Sequence, residues 1–138
     1  MDMSTAIASI NYWAVLVAAL ASFLVGGLWY SPLLFHRPWM QAAALTEEQL
    51  RTGNPGLIFG VSFVLQLIAA FVLAMFLGAA ADLAFGLTAG LMVGVAWVAT
   101  AFGVVYLFER RPLRLFWINA GYQVVVYDVM GAILGAWH

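Results

Sequence analysis

Asp128 is the one carboxylate that falls inside a long apolar stretch, so it is the first candidate for chemistry. An ionisable group at membrane depth is a functional hypothesis by default, here a proton relay or a cation site. The plainer role is a neutral, hydrogen-bonded acid that fixes helix register, because a buried charge is costly unless paired. Other polar side chains fall at a common depth. Counted from the nearest arginine-bearing connection, Ser22, Gln66, Thr100 and Gln123 each lie eight or nine residues in, or about 12–14 Å along a helix. One polar group per helix at one level predicts an internal hydrogen-bonded layer. Trp97 counts to nearly the depth of Asp128, so its indole N–H is a candidate donor to that carboxylate. Asn119 adds a further carboxamide to the Gln123 segment.

Covalent and metal chemistry find little support. The chain has no cysteine and no lysine, and its two histidines, His36 and His138, are expected on opposite sides of a membrane. Neither a metal cluster nor a nucleophile–base pair is visible, and no metal or cofactor is expected. Glu47 and Glu48 suit the first turn of a helix better than a catalytic pair. A quinone or lipid acting on Asp128 or Tyr127 is the least supported reading.

The elements that position these groups follow from composition. Of 138 residues, 66% are hydrophobic and only 8% charged, and the mean hydropathy is +1.02. Soluble domains run nearer a quarter charged. An integral membrane protein is implied. Five arginines against six acids leave no basic footprint for nucleic acid. Four neutral segments are long enough to cross a bilayer, at about 20 residues each: roughly 8–30, 57–81, 85–108 and 115–137. The first lacks a basic leader and is too long for a cleavable signal, so it is expected to stay in the membrane.

Arginine placement orients the spans. Arg37 and Arg51 lie between the first and second, and Arg110, Arg111 and Arg114 between the third and fourth. The opposite side has none. The positive-inside rule puts both connections in the cytoplasm and both termini outside. Tyr12, Trp13, Trp29, Tyr30, Tyr106, Trp117 and Trp137 fall near the expected interfaces, where amphipathic rings are favoured.

Only the first connection is long enough for internal structure, and a short interfacial helix or helical hairpin is expected within 36–52. Pro38 suits an early helical turn. Thr46-Glu47-Glu48-Gln49 has capping-box spacing, and Trp39, Met40 and Leu45 are expected on the apolar side. Phe35-His36-Arg37-Pro38 and Glu109-Arg110-Arg111-Pro112 echo each other, as a duplicated hairpin would, although arginine before proline is also easily obtained by chance.

Membrane helices are held together by close backbone approach, which small residues at four-residue spacing supply. The third span reads Gly86-xxx-Gly90-xxx-Gly94, and the fourth ends in Gly131-xxx-Gly135. The first carries Ala14, Ala18, Ser22 and Gly26, and the second Ala70, Ala74 and Gly78. The fold class expected is an all-α four-transmembrane-helix bundle. In the fourth helix Asn119, Tyr122, Gln123 and Val126 share one face. Asp128 lies about 140° from Gln123, with Trp117, Gly121, Gly131 and Gly135. Two polar faces on one helix predict that one meets the bundle and the other a second protein surface. A homo-oligomer, or a subunit of a larger membrane complex, is therefore expected.

Asn11-Tyr12-Trp13-Ala14-Val15, then Gly27-Leu28-Trp29-Tyr30-Ser31-Pro32-Leu33-Leu34-Phe35 with Trp39-Met40, resembles the opening signature of a small bacterial membrane family. That family is catalogued as domain of unknown function 1761. Asn119-Ala120-Gly121-Tyr122 and Met130-Gly131-Ala132-Ile133-Leu134 with Trp137 are similar to its closing pattern. The resemblance implies a four-helix bacterial inner-membrane protein and carries no activity. It does not include Asp128. It directs attention to Asn11, Trp29, Tyr30, Ser31, Pro32, Asn119 and Tyr122. Asn11 and Trp29 stand at opposite ends of one helix, so these residues mark two sites or a requirement of the fold.

Three functions are weighed. Polar groups at depth and glycine-lined packing put transport or a channel first, with a path between protomers or a narrow one. An accessory or scaffold subunit comes next, and a membrane enzyme last.

Overall fold

The computed structural model describes residues 2–137, so His138 lies outside the described residues. All regular structure among them is helical. The elements are α1 (Met3–Ala8), α2 (Tyr12–Trp29), α3 (His36–Ala43), α4 (Glu47–Arg51), α5 (Pro55–Leu77), α6 (Leu83–Val93), α7 (Thr100–Glu109) and α8 (Leu113–Ala136). A π-helical segment, Gly94–Ala99, joins α6 to α7 in one rod of 27 residues.

Local chemistry explains the boundaries. The expected first span began at residue 8, but the chain breaks before Tyr12. The Asn11 carboxamide oxygen accepts hydrogen bonds from the Trp13 and Ala14 amides at 3.1 and 3.2 Å and starts α2 afresh. Asn54 caps α5 in the same way, with Pro55 in its first turn. That helix stops at Gly78, whose φ of 76° is cheap only for glycine, three residues before the expected end at 81. Asp82 caps α6 through the Phe85 amide. At the far end of the rod Arg110 takes a left-handed φ of 59° to close α7. Pro112 then leads into α8.

The first connection holds two short helices, as the hairpin alternative has it. Ala44, at φ 59°, separates α3 from α4. The expected capping box is present: the Thr46 hydroxyl accepts from the Gln49 amide, and the Gln49 side chain accepts from the Thr46 amide. His36 Nε2 and Glu47 Oε1, 3.2 Å apart, tie the two helices together.

Three helices are long and apolar enough to cross a membrane: Tyr12–Trp29, Pro55–Leu77 and Leu83–Glu109. They carry large apolar side chains on their outer faces, with Leu24 and Phe76 among the most exposed. Such surfaces suit lipid and not water. At 24 residues, α8 is long enough, but Asn119, Gln123 and Asp128 make it more polar than these three.

That helix is the centre of the fold. It packs on α6 most extensively, and also on α2, the π segment, α5 and α7. Gly86 lies against Gly131, Gly90 against the Tyr127 carbonyl, and Gly135 against the Asp82 carbonyl. A Cβ at any of these glycines would overlap backbone across the seam. Gly94 would bring a Cβ to 2.8 Å of the Val124 Cα. The opposite side of α8 meets α2 and α5 in a core of Ala14, Ala18, Ala70, Val126 and Met130, all fully buried. Helix α8 thus packs on both sides within one chain, while Trp117, on the Asp128 side, is exposed.

Candidate functional site

At the arginine-bearing end of the bundle, residues about ninety positions apart form one joint. Trp29 ends α2, and its Nε1 donates to the Ile118 carbonyl at 2.9 Å. Gly121 leaves room for that indole, since a Cβ there would stand 3.2 Å from Trp29 Cζ2. The Tyr30 hydroxyl donates to Asn119 Oδ1 at 2.7 Å, and Asn119 Nδ2 donates to the Tyr106 hydroxyl at 2.8 Å. One carboxamide thereby links the ends of α2 and α7 through α8. The Tyr122 ring meets the Tyr30 ring edge-on at 5.3 Å, and Trp39 of α3 does the same at 5.4 Å. Tyr122 also fills the space above Gly26, where a Cβ would approach its hydroxyl to 3.1 Å.

Ser31 and Pro32 make the reversal that brings α3 under this joint. The Ser31 carbonyl accepts from the Leu34 and His36 amides, and its hydroxyl donates to the Leu28 carbonyl at 2.7 Å. Trp29, Tyr30, Ser31, Pro32, Asn119 and Tyr122 are therefore parts of one construction. Asn11 is not; it caps α2 at the other end.

Beside the joint lies a half-open cavity of about 850 Å³ between α2, α5, α7, α8 and the α3–α4 connection, with the exposed Ile58 and Phe59 on its outer wall. Six aromatic side chains line it: Phe23, Tyr30, Trp39, Phe59, Phe102 and Tyr122. It continues toward the middle of the bundle into a compartment of about 270 Å³, with Phe23, Ser62, Tyr122 and Gln123 lining both. Ser22 and Gln66 complete the polar lining of the inner compartment. No Asp, Glu, Lys, Arg or His borders either space among the described residues. Leu65, also on the wall of the inner compartment, is exposed, while Ala14, Ala18, Ala70 and Met130, farther along the same helices, are fully buried.

Three of the four side chains expected in a polar layer, Ser22, Gln66 and Gln123, meet in this compartment. Thr100 does not. Its hydroxyl turns back onto its own helix, donating to the Ala96 carbonyl at 2.7 Å, and the residue is exposed. The π segment just before it adds residues to the turn and so shifts which side chains face inward.

Trp97 and Asp128 are likewise not partners. The seam pairs Gly90 with Asp128 and Gly94 with Val124, which carries Trp97 on toward Gly121, about seven residues or 10 Å from Asp128. Counting from helix ends missed this offset, because the rod and α8 do not start level. Trp97 is 69% exposed and borders a separate apolar groove with Tyr127. Asp128 sits at the rim of the α6–α8 seam with Oδ1 buried and unpartnered, and it borders neither polar compartment.

Ser62, Phe23, Phe59 and Phe102 were not singled out as site residues from sequence. A usable signal existed: Ser62 and Gln66, like Asn119 and Gln123, are four apart and share a helix face. Tyr106, read as an interface ring, is also the end of the Asn119 chain. Among the described residues no group of acidic and histidine side chains could hold a metal. At the same end, Arg114 Nη1 reaches Gln41 Oε1 at 3.5 Å, and Arg111 pairs with Glu109 at 3.1 Å.

A family model described as protein of unknown function (DUF1761) matches residues 13–135. The match contains the whole joint and cavity and leaves out Asn11. No curated protein and no solved structure matches the chain.

Proposed function

Because the chain belongs to the DUF1761 family, whose description assigns no activity, its role rests on its own residues, and we propose that it carries a small solute across a bacterial inner membrane. In this reading α2, α5, the α6–α7 rod and α8 are four spans. The connection containing α3 and α4 lies in the cytoplasmic interface, and both termini are outside. Arginine placement supports that orientation.

One observation carries the reading: a half-open cavity with polar groups at depth that reaches the arginine-bearing end, while Ala14, Ala18, Ala70 and Met130, farther along the same helices, are fully buried. Its volume falls within the range of small-molecule sites, and its lining has their usual character, apolar and aromatic with a few polar groups. A packed outer half is what a carrier in its inward-facing state presents, whereas an open channel needs continuity. In this reading the packing of alanines and Met130 must part for release.

Gly27 provides the test. It borders the cavity, a Cβ there meets nothing within 4 Å, and the natural chain has no cysteine. Gly27→Cys is expected to react with an impermeant thiol reagent in inside-out vesicles and not in right-side-out ones. Equal protection from both sides, or labelling only from outside, overturns the inward-facing carrier.

A further inference from the structure

We infer that the inner compartment recognises an uncharged solute with a donor–acceptor head, a carboxamide or its equivalent, on a compact flat body. This rests on the cavity reading above and adds the substrate class. Two side chains carry it. Gln66 from α5 and Gln123 from α8 both border the compartment, and neither hydrogen-bonds to protein among the described residues. Neither is sealed off, because Asp128 Oδ1 is the buried side-chain polar atom left without a partner. Each carboxamide offers one acceptor and two donors to whatever enters.

The neighbouring polar groups are already engaged. The Ser22 hydroxyl donates to the Ala19 carbonyl at 2.6 Å, and Tyr122 reaches back toward the Ser22 carbonyl at 3.5 Å. Free hydrogen-bonding capacity is therefore concentrated on the two glutamines, with Ser62 at the neck between the compartments. A head carrying both donors and acceptors matches a pair of carboxamides. A simple acceptor or a hydrocarbon leaves them unsatisfied, which costs binding.

The walls decide against ions and ordinary lipids. No charged side chain borders either space to compensate a desolvated ion. A membrane lipid would keep its head at the interface and its tails deep, whereas here the polar groups are deep and the rings of Tyr30 and Trp39 lie toward the interface. Phe23 and Tyr122 flank the neck, where a flat ring can stack while its head reaches the glutamines. The compartment of about 270 Å³ has room for such a head together with water, at about 30 Å³ for each water.

Benzamide, benzoate and benzamidinium share one shape and differ in charge, which makes them suitable probes. The reporter is Ser62→Cys, labelled from the cytoplasmic side of inside-out vesicles. Benzamide is expected to slow its labelling at concentrations where the two ions do not, with discrimination of about a hundredfold, as for a charge taken to membrane depth. Gln66→Leu and Gln123→Leu are each expected to weaken that protection about fivefold, the worth of one hydrogen bond. Gln123→Glu keeps the shape and is expected to admit benzamidinium, a change that a purely structural role would not produce.

Equal protection by all three probes, or protection by benzamide that survives both leucine variants, overturns the inference. So does the absence of protection where Ser62→Cys reacts. A Ser62→Cys that stays unreactive while Gly27→Cys reacts also overturns it, because the inner compartment is then unreachable. Each of those results leaves the inward-facing cavity standing. An unreactive Gly27→Cys removes both.

Discussion

The hydroxyl of Tyr30 and the carboxamide of Asn119 are joined at 2.7 Å across 89 residues of sequence, and Asn119 passes the link on to Tyr106. The end of α2 is thereby locked to the start of α8 beside the cavity. Tyr30→Phe removes the donor and leaves the ring contacts with Trp39 and Tyr122. It is expected to destabilise the protein by about 1 kcal/mol, the usual worth of an interhelical hydrogen bond in a membrane. Combined with Asn119→Leu in a double-mutant cycle, it should show coupling of similar size, since the shared bond is lost in both single changes while the Asn119–Tyr106 bond cancels in the cycle. Unfolding in detergent or bicelles measures both. Additive effects would mean that the bond contributes nothing.

The glycine seam makes a sharper contrast. At Gly86 a methyl group would overlap the Gly131 carbonyl, and neither backbone can yield without separating α6 from α8. Gly86→Ala is therefore expected to cost about 2–4 kcal/mol or to prevent folding, in the upper range for single changes. At Gly60, where nothing lies within 4 Å, the same change relieves the glycine penalty and is expected to be neutral or to stabilise by up to about 1 kcal/mol. Thermal stability of the two purified variants decides the matter. Equal effects would contradict the seam.

Asp128 separates a structural acid from a working one. Its Oδ1 is buried without a partner, and it borders neither polar compartment. Asp128→Asn keeps the shape and removes the ionisable group, so stability should be unchanged or rise slightly, because a carboxylate at membrane depth is costly. Solute uptake in proteoliposomes should be the same as for the natural protein. A collapse of uptake with folding intact would restore the proton-relay role.

The aminoterminal helix supplies a pH dependence outside the membrane. The Thr5 amide, with help from the Ser4 hydroxyl, holds the Asp2 carboxyl below the usual carboxylate range. A lowered folded-state pKa means that the cap is fully present above the ordinary carboxylate pKa and is lost as pH falls through the depressed value. Protection of the Thr5 and Ala6 amides, measured against their intrinsic exchange rates, should fall below about pH 4, the ordinary carboxylate range, and Asp2→Asn should flatten that dependence. Exchange that does not respond to acid would show that the cap is idle.

Sequence alone determined the properties that are local or one-dimensional. Long neutral stretches announce the apolar helices, arginine spacing announces which connections share a side, and the Thr46–Gln49 capping box follows from four consecutive residues. Small residues at four-residue spacing identify the faces along which helices approach, and Gly86, Gly90, Gly94, Gly131 and Gly135 do meet along one seam. Tertiary structure decided the register between helices, which no single helix encodes. The offset of the α6–α7 rod against α8 separates Trp97 from Asp128, and the π segment precedes an outward-facing Thr100. The same placement sets α8 between α2 and α6, with Asn119, Gln123 and Asp128 partly buried. Gln66 and Gln123, each an isolated glutamine in sequence, acquire a shared compartment only because α5 and α8 are brought side by side with Phe23 and Tyr122 between them and the joint.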